Sequence, residues 1–248
     1  MNNKHEFAIY FPELLKNYEL KQIIILTDKD LCHRIINILR MQLNERLILF
    51  DRKQNILVEI VAITKKEIKA KVLHKDLNKN LSPKVTILVS ILKRESFEDA
   101  IYYCVEMGAN VIQPIITEKV HFKKWEDKER ERLQRIIIAA AEQSKNFNFP
   151  ELQDPKKLGD YLDEIQNSTN NATKIFFDAQ GQNLTEIMGK SKVEQELVLL
   201  IGPEGDLTPD EKENLKKAQF QFCKLTPTIL RAQTAVGLAL GIFRTFKN

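Results

Sequence analysis

The sequence predicts an α/β protein in two parts: a small N-terminal β-barrel, residues 1–78, and a C-terminal α/β domain built on a parallel sheet, residues 82–248. Three observations predict it. Residues 6–80 hold short apolar segments separated by charged turns, Val85 to Ile116 reads strand, helix, strand, and Leu197-Val198-Leu199-Leu200-Ile201 is apolar without alternation. An unalternating run suits a strand covered on both faces, as in a parallel sheet under helices.

In the first part, Ile23 to Leu26, Arg46 to Phe50, Ile56 to Ile63 and Ile68 to Leu73 are predicted strands. A helix fits between the first two, from about Asp28 to Arg40, with Leu31, Ile35, Ile38 and Leu39 at i, i+4, i+7 and i+8. Several short strands with one helix predict a small barrel. Asp76 to Pro83 is polar and Asn-rich, and its proline disfavours a preceding helix, so it reads as the linker.

The second part opens with a strand over Val85 to Leu92 and a helix over Phe97 to Met107, closed by Gly108. Val111 to Ile116 is the next strand, and the βαβ spacing calls for a parallel sheet. Trp125 to Lys145 is a long two-faced helix with Leu133, Ile136, Ile137, Ala140 and Ser144 on one stripe. Lys174 to Phe177 is a strand ending in Asp178-Ala179-Gln180-Gly181, and Ile165 to Asn171 reads as a surface loop.

The strand ending at Ile201 breaks into Gly202-Pro203-Glu204-Gly205-Asp206, where glycines permit unusual dihedrals and a close approach to a ligand. Thr208-Pro209-Asp210-Glu211 then starts a helix: a Thr N-cap, Pro at the first position, and Glu to complete a capping box. Phe220 to Leu225 is a second short strand, Thr226 to Thr234 its loop, and Ala235 to Phe246 an apolar final helix. The two strand-end loops are expected side by side at the carboxyl edge, where open α/β sheets bind ligands.

Composition narrows the class. No apolar run approaches a membrane span, and the polar start lacks a signal-peptide pattern. Cys32, Cys104 and Cys223 are widely spaced, so neither a metal site nor a disulfide framework is expected, and a reducing cytoplasm is the simple compartment. The net charge is +4, unevenly placed: residues 1–80 hold 15 Lys and Arg against 10 Asp and Glu, the remainder 23 against 24. Such an excess suits a nucleic-acid partner and equally a plain solvated surface. The glycine loop alone is weak evidence, lacking both the GxGxxG spacing and a P-loop lysine. With no nucleophilic triad or metal cluster, chemistry carried by a cofactor's own reactive atom is the attractive reading.

The run LLIGPEGDLTPDE followed by LTPTILRAQTA resembles the signature of the SPOUT methyltransferases. It is most similar to the bacterial family that methylates N3 of a uridine in 16S, small-subunit, ribosomal RNA, whose pattern is GPEGG and then LGPRILRTETA. MGANVIQPIITEK, AAEQS at 140–144 and HRIINILR at 33–40 resemble further motifs of that family. The departures are Asp206 and Thr226 for Gly, Thr228 for Arg, Ala232 for Thr, Gln233 for Glu, and Asn146 where the family places Arg. The resemblance implies a PUA-like RNA-binding barrel, a SPOUT domain with a deep C-terminal trefoil knot, S-adenosyl-L-methionine as cofactor, and a homodimer. It further implies ribosomal RNA or the 30S subunit as partner, with no membrane and no metal.

Carried onto this chain, Leu200, Ile201, Gly202, Glu204, Gly205, Leu225, Thr226, Ile229 and Leu230 would hold the cofactor. Arg231 would stabilise charge on the uracil oxygens, and Thr234 would hydrogen-bond the base. His33, Arg34 and Arg40, with Lys93 and Arg94, would meet RNA. A structural alternative has Arg231 bracing the loops against Glu204, and one for Arg40 makes it an ordinary helix-end cation. Two other functions fit the same residues: a catalytically impaired RNA-binding or ribosome-assembly protein, and a SPOUT enzyme acting on transfer RNA.

Overall fold

A computed structural model describes residues 6–12, 18–64, 66–122, 124–166, 172–184, 186 and 196–245. The chain forms two compact units, one of Met1–Lys79 with Ala141–Asn148, the other of Asn80–Ala140 with Phe149–Asn248.

The first unit holds strands β1 (Phe7–Tyr10), β2 (Ile23–Leu26), β3 (Arg46–Phe50), β4 (Gln54–Ile63) and β5 (Ile68–Leu77) in one five-stranded sheet of order β1-β3-β4-β5-β2. β1 pairs parallel with β3, and the other pairs are antiparallel. Alternation buries Leu47, Leu49, Val58, Ile60, Ala70 and Val72 on one face, against Leu31 and Ile35. The helix expected over Asp28 to Arg40 is a short α1 (Lys29–His33), capped by Asp28, whose Oδ1 accepts from Leu31 N at 2.7 Å. It continues as a π-helical turn over Arg34–Ile38 and ends with Arg40 at φ 52°. The wider π winding takes Ile38 off the stripe expected at a period of 3.6 and leaves it 62% exposed, while Leu31 and Ile35 stay buried. β5 runs to Leu77, past the expected strand end and into the expected linker, because Gln54 of β4 pairs with Leu77 across the hairpin.

Residues 141–148 close this unit. Glu142 accepts from Tyr10 N at 2.9 Å through Oε1 and from Arg34 Nη2 at 2.6 Å through Oε2. The Phe147 ring lies 4.8 Å from that of Phe50, and Asn78 Nδ2 donates to Phe147 O at 3.3 Å.

The second unit contains β6 (Lys84–Ser90), α2 (Arg94–Glu106), β7 (Val111–Ile116), α3 (Asp127–Ser144, whose last residues count with the first unit), β8 (Glu151–Leu152) and β9 (Lys156–Lys157). After these come α4 (Leu158–Gln166), β10 (Thr173–Asn183), β11 (Glu196–Ile201), α5 (Pro209–Lys217), β12 (Gln221–Lys224) and α6 (Ala232–Thr245). The sheet order is β12-β10-β11-β6-β7-β8, with β9 also on β7, and every pairing is parallel. Val85, Ile87, Leu88, Leu199 and Leu200 are fully buried, as a sheet covered on both faces requires. Ile165 and Gln166, expected in a loop, end α4; the rest of that loop, 167–171, and Phe246 lie outside the described residues.

Gly108 follows α2 at φ 75°, a left-handed position that suits glycine, and a Cβ there would stand 2.4 Å from Leu81 Cδ1. Arg244, in the last turn of α6, fastens the same corner. It donates to Pro83 O and Gly108 O, each at 2.5 Å, and to Asn110 Oδ1 at 2.8 Å.

Candidate active site

The carboxyl ends of β10, β11 and β12 surround a cavity of about 680 Å³. That volume lies in the usual range for a small-molecule or cofactor site. β11 and β12 are not neighbours as expected: β10 lies between them. The exit of β10 is therefore the middle wall, and the cavity has three loops rather than two.

The β11 exit is held from below by Ser90, whose hydroxyl donates to Ile201 O at 3.0 Å. The chain then turns through Gly202 to Asp206, closed by Asp206 N donating to Pro203 O at 3.0 Å. The left-handed residue of this loop is Asp206, at φ 57°, and neither glycine has a positive φ. Asp206 Oδ1 accepts from Leu207 N at 2.7 Å, the local bond that lets a short acidic side chain tolerate this region. α5 begins as its sequence dictates: Thr208 Oγ1 accepts from Glu211 N, and Glu211 Oε2 accepts from Thr208 N at 2.8 Å.

The β10 exit carries a register shift, so that Phe177 and Gln182 both pair with Cys223. Gly181 makes this possible, since a Cβ there would lie 2.5 Å from Cys223 N. Asp178 Oδ1 caps the bulge by accepting from Gln180 N at 2.8 Å. Lys212, in α5, donates to Asp178 Oδ2 and to Asp206 Oδ2, both at 2.7 Å. Burial alone would raise the Asp178 carboxyl and lower the Lys212 ammonium. The hydrogen bonds and charges between them win in both cases, so Asp178 is held below the ordinary carboxylate range and Lys212 above the ordinary lysine range.

The β12 exit is shaped by Thr226 Oγ1, which donates to Thr228 O at 2.6 Å. It presents Ile229 with 88 % of its surface exposed, an apolar side chain at the cavity with little cover of its own.

Of the residues singled out in the sequence, Ile201, Gly202, Glu204, Leu225, Thr226, Ile229, Leu230 and Arg231 line this cavity. Leu200 is buried one residue below it, and Gly205 lies off the lining, its carbonyl accepting from Lys119 Nζ at 2.8 Å. Arg231 is exposed and, among the described residues, makes no ion pair with Glu204. Thr234 faces elsewhere, into an apolar groove between α2 and α6 lined by Tyr103, Met107, Gly237, Leu238 and Ile242. His33, Arg34 and Arg40 belong to the first unit, with Arg34 tied to Glu142. Lys93 precedes α2, and Arg94 Nε donates to Glu98 Oε1 at 3.0 Å. Phe176, Phe177, Asp178, Gln180, Ser96 and Lys224 also line the cavity and were missed. Their place at the carboxyl end of a predicted strand was the available signal for Asp178 and Gln180.

Apolar walls from Phe176, Ile201, Leu225 and Ile229 stand beside carboxylates and strand-end backbone groups. Such a set suits a nucleoside carrying positive charge: a flat apolar base against side chains, polar edges on backbone amides and carbonyls, a cation near acids. No group of three or more His, Cys, Asp or Glu among the described residues is arranged to hold a metal ion. No helix among them is long and apolar enough to cross a membrane.

The comparisons with known proteins agree with this geometry. The family described as RNA methyltransferase domain matches residues 79–244, and the RNA methyltransferase PUA domain matches 26–73. The ribosomal RNA small subunit methyltransferase E of Mesomycoplasma hyopneumoniae is 31% identical over 222 residues, 88% of this chain and 92% of that protein. The protein of the same name from Synechocystis sp. is 32% identical over 157 residues, 63% of this chain and 52% of its own length. The crystal structure of the Neisseria gonorrhoeae ribosomal RNA small subunit methyltransferase E, bound to S-adenosyl methionine, superposes with a TM-score of 0.81 at 28% identity over 98% of both chains. With its parallel sheet, its three-walled cavity and these likenesses, the chain belongs to the RNA methyltransferase family of ribosomal RNA small subunit methyltransferase E.

Proposed function

We propose that the chain transfers a methyl group from S-adenosyl-L-methionine to N3 of a uridine in small-subunit ribosomal RNA, in the cytoplasm and as a homodimer. The observation that carries this reading is the cavity at the carboxyl edge, with Arg231 exposed at its rim and free of Glu204. The cofactor supplies an activated methyl, so the protein needs to bind, orient and ready the acceptor. Ile201, Leu225, Ile229 and Leu230 would cover the adenine, with backbone groups near Gly202 and Leu225 on its polar edge and the ribose. Glu204 suits the cofactor's positive charge, the charges of Asp178 and Asp206 being met by Lys212. Uridine N3 must lose its proton before or as it is methylated, and charge then develops on the two flanking oxygens. A guanidinium meets that charge with a planar set of donors and without exchanging a proton itself.

The division at residues 78 to 82 belongs to the same reading: a PUA-like RNA-binding part first, the SPOUT part with its knot second. His33, Arg34, Arg40, Lys93 and Arg94 are the proposed RNA contacts. The apolar groove on α2 and α6 is the proposed dimer face, where Tyr103, Met107 and Leu238 each keep more than a third of their surface exposed. Thr234, which lines that groove, would act from the seam between subunits. Asn146 in place of the family's arginine favours the alternative, an RNA-binding protein without transfer activity.

Arg231→Ala decides between these. Single-turnover methylation should fall by about 10²–10³-fold, the usual cost of one charge-stabilising donor, while cofactor affinity and melting temperature hold. A drop in melting temperature with weakened cofactor binding would instead make Arg231 a brace. Wild-type protein that methylates neither small-subunit RNA nor 30S subunits would establish the alternative.

A further inference from the structure

Two walls of the cavity are tied together by a single ammonium. Lys212 Nζ lies 2.7 Å from Asp178 Oδ2 at the β10 exit and 2.7 Å from Asp206 Oδ2 at the β11 exit. The Asp178 side chain is 8% exposed, that of Lys212 23% and that of Asp206 62%, so the Asp178 end of the bridge is withdrawn from water. Both acids line the cavity, whereas Lys212 does not. The loop is gripped from a second direction, because Lys119 Nζ donates to Gly205 O at 2.8 Å and to Asp206 O at 3.0 Å. The residue before Lys212 does the same for a third loop: buried Glu211 accepts from Glu118 N, at the β7 exit, at 2.9 Å.

The first turn of α5 therefore anchors the exits of β7, β10 and β11. Asp206 occupies a left-handed position that favours glycine, and each of its carboxylate oxygens has a partner there, Leu207 N and Lys212 Nζ. Without the ammonium, two carboxylates that now share it would face one another across the cavity wall, and like charges at that range repel.

We propose that Lys212 is a positioning residue for the cofactor cavity, holding the Asp178 and Asp206 walls at the separation the bound cofactor requires. This rests on the reading of the cavity as an S-adenosyl-L-methionine site. Lys212 touches neither cofactor nor acceptor in this assignment. Its effect belongs to binding, through the spacing of two walls, and not to the transfer step.

The experiment measures calorimetric affinity for S-adenosyl-L-methionine, melting temperature and single-turnover rate at saturating cofactor. Lys212→Met should weaken cofactor binding by about tenfold, in line with the loss of a charge-assisted pair, and leave the saturated rate within about twofold. Lys212→Arg should restore affinity. Adding Asp206→Gly to Lys212→Met should recover part of it, because the second substitution removes one of the two facing acids. A lysine that is merely structural would lower the melting temperature and the saturated rate together, with no recovery in the double variant, and that result would overturn the proposal. So would Lys212→Met protein binding cofactor as the wild type does. Should Lys212→Met fail to fold, Asp206→Asn tests the same bridge from its other end, and unchanged affinity in that variant counts against it. Wild-type protein that binds no cofactor would overturn the reading of the cavity itself, an outcome distinct from all of these.

Discussion

Arg244→Met tests how the end of the chain is held. The guanidinium donates to two backbone carbonyls, Pro83 O and Gly108 O at 2.5 Å, and to Asn110 Oδ1 at 2.8 Å. Burial alone holds its pKa below the ordinary arginine range, and its Nε has no partner among the described residues. Hydrogen bonds to a charged donor contribute about 1.5–3 kcal/mol each. Three of them are set against the several kcal/mol that withdrawing a cation from water costs. Methionine fills much of the space and leaves the Pro83 and Gly108 carbonyls without this donor, while Asn110 Oδ1 keeps Val85 N at 2.8 Å, so a net loss of about 3 kcal/mol is expected. For a chain of this size that lowers the melting temperature by roughly 6–12 °C. Scanning calorimetry of wild type, Arg244→Met and Arg244→Lys measures it. Lysine should recover only part, because one point charge cannot serve three acceptors in a plane. A shift under about 2 °C for the methionine variant would refute the reasoning and show that desolvation cancels the bonds.

Two further outcomes follow from the proposed assembly and the proposed RNA contacts. Leu238→Glu, which puts a charge on the groove between α2 and α6, should convert the dimer to a monomer in light scattering with little change in circular dichroism; an unchanged mass would remove the groove from the interface. Arg40→Gln should weaken RNA binding and reduce the salt slope of log K by about one, as the loss of one phosphate contact does, while cofactor affinity stays level; an unaltered slope would take Arg40 off the RNA.

Elements governed by near neighbours along the chain were legible from the residues alone. The α5 start is the plainest case: Thr208, Pro209 and Glu211 specify cap, first position and box within four residues, and the capping box is present in full. Gly108 ends α2 as its type predicts, and the bare apolar run at 197–201 is the covered strand it resembles. What long-range pairing decides was not legible. β10 inserts between β11 and β12, and no local pattern encodes strand order. The strand expected to end at Phe177 pairs onward with β12 after a bulge, since Gly181 lets two backbones meet, and its DAQG stretch forms a cavity wall. Asp206 read as a departure from a glycine. Its meaning needs Lys212, six residues on, and Asp178, 34 residues from that lysine. Thr234 lies three residues beyond Arg231, yet the start of α6 turns it onto the other face.

The segment 141–148 has a consequence for how the chain is made. Tyr10 and Arg34 find Glu142, and Phe50 finds Phe147, only once those later residues exist. A ribosome adding 5–20 residues per second needs roughly 3–14 s to pass from residue 79 to residue 148. During that interval the first unit has all its strands and lacks its closing segment, while β6, α2 and β7 of the second are being synthesised. The first unit therefore cannot close as its own strands are made: its last segment follows β6, α2 and β7 of the second, which in turn waits for β10, β11, β12 and α6.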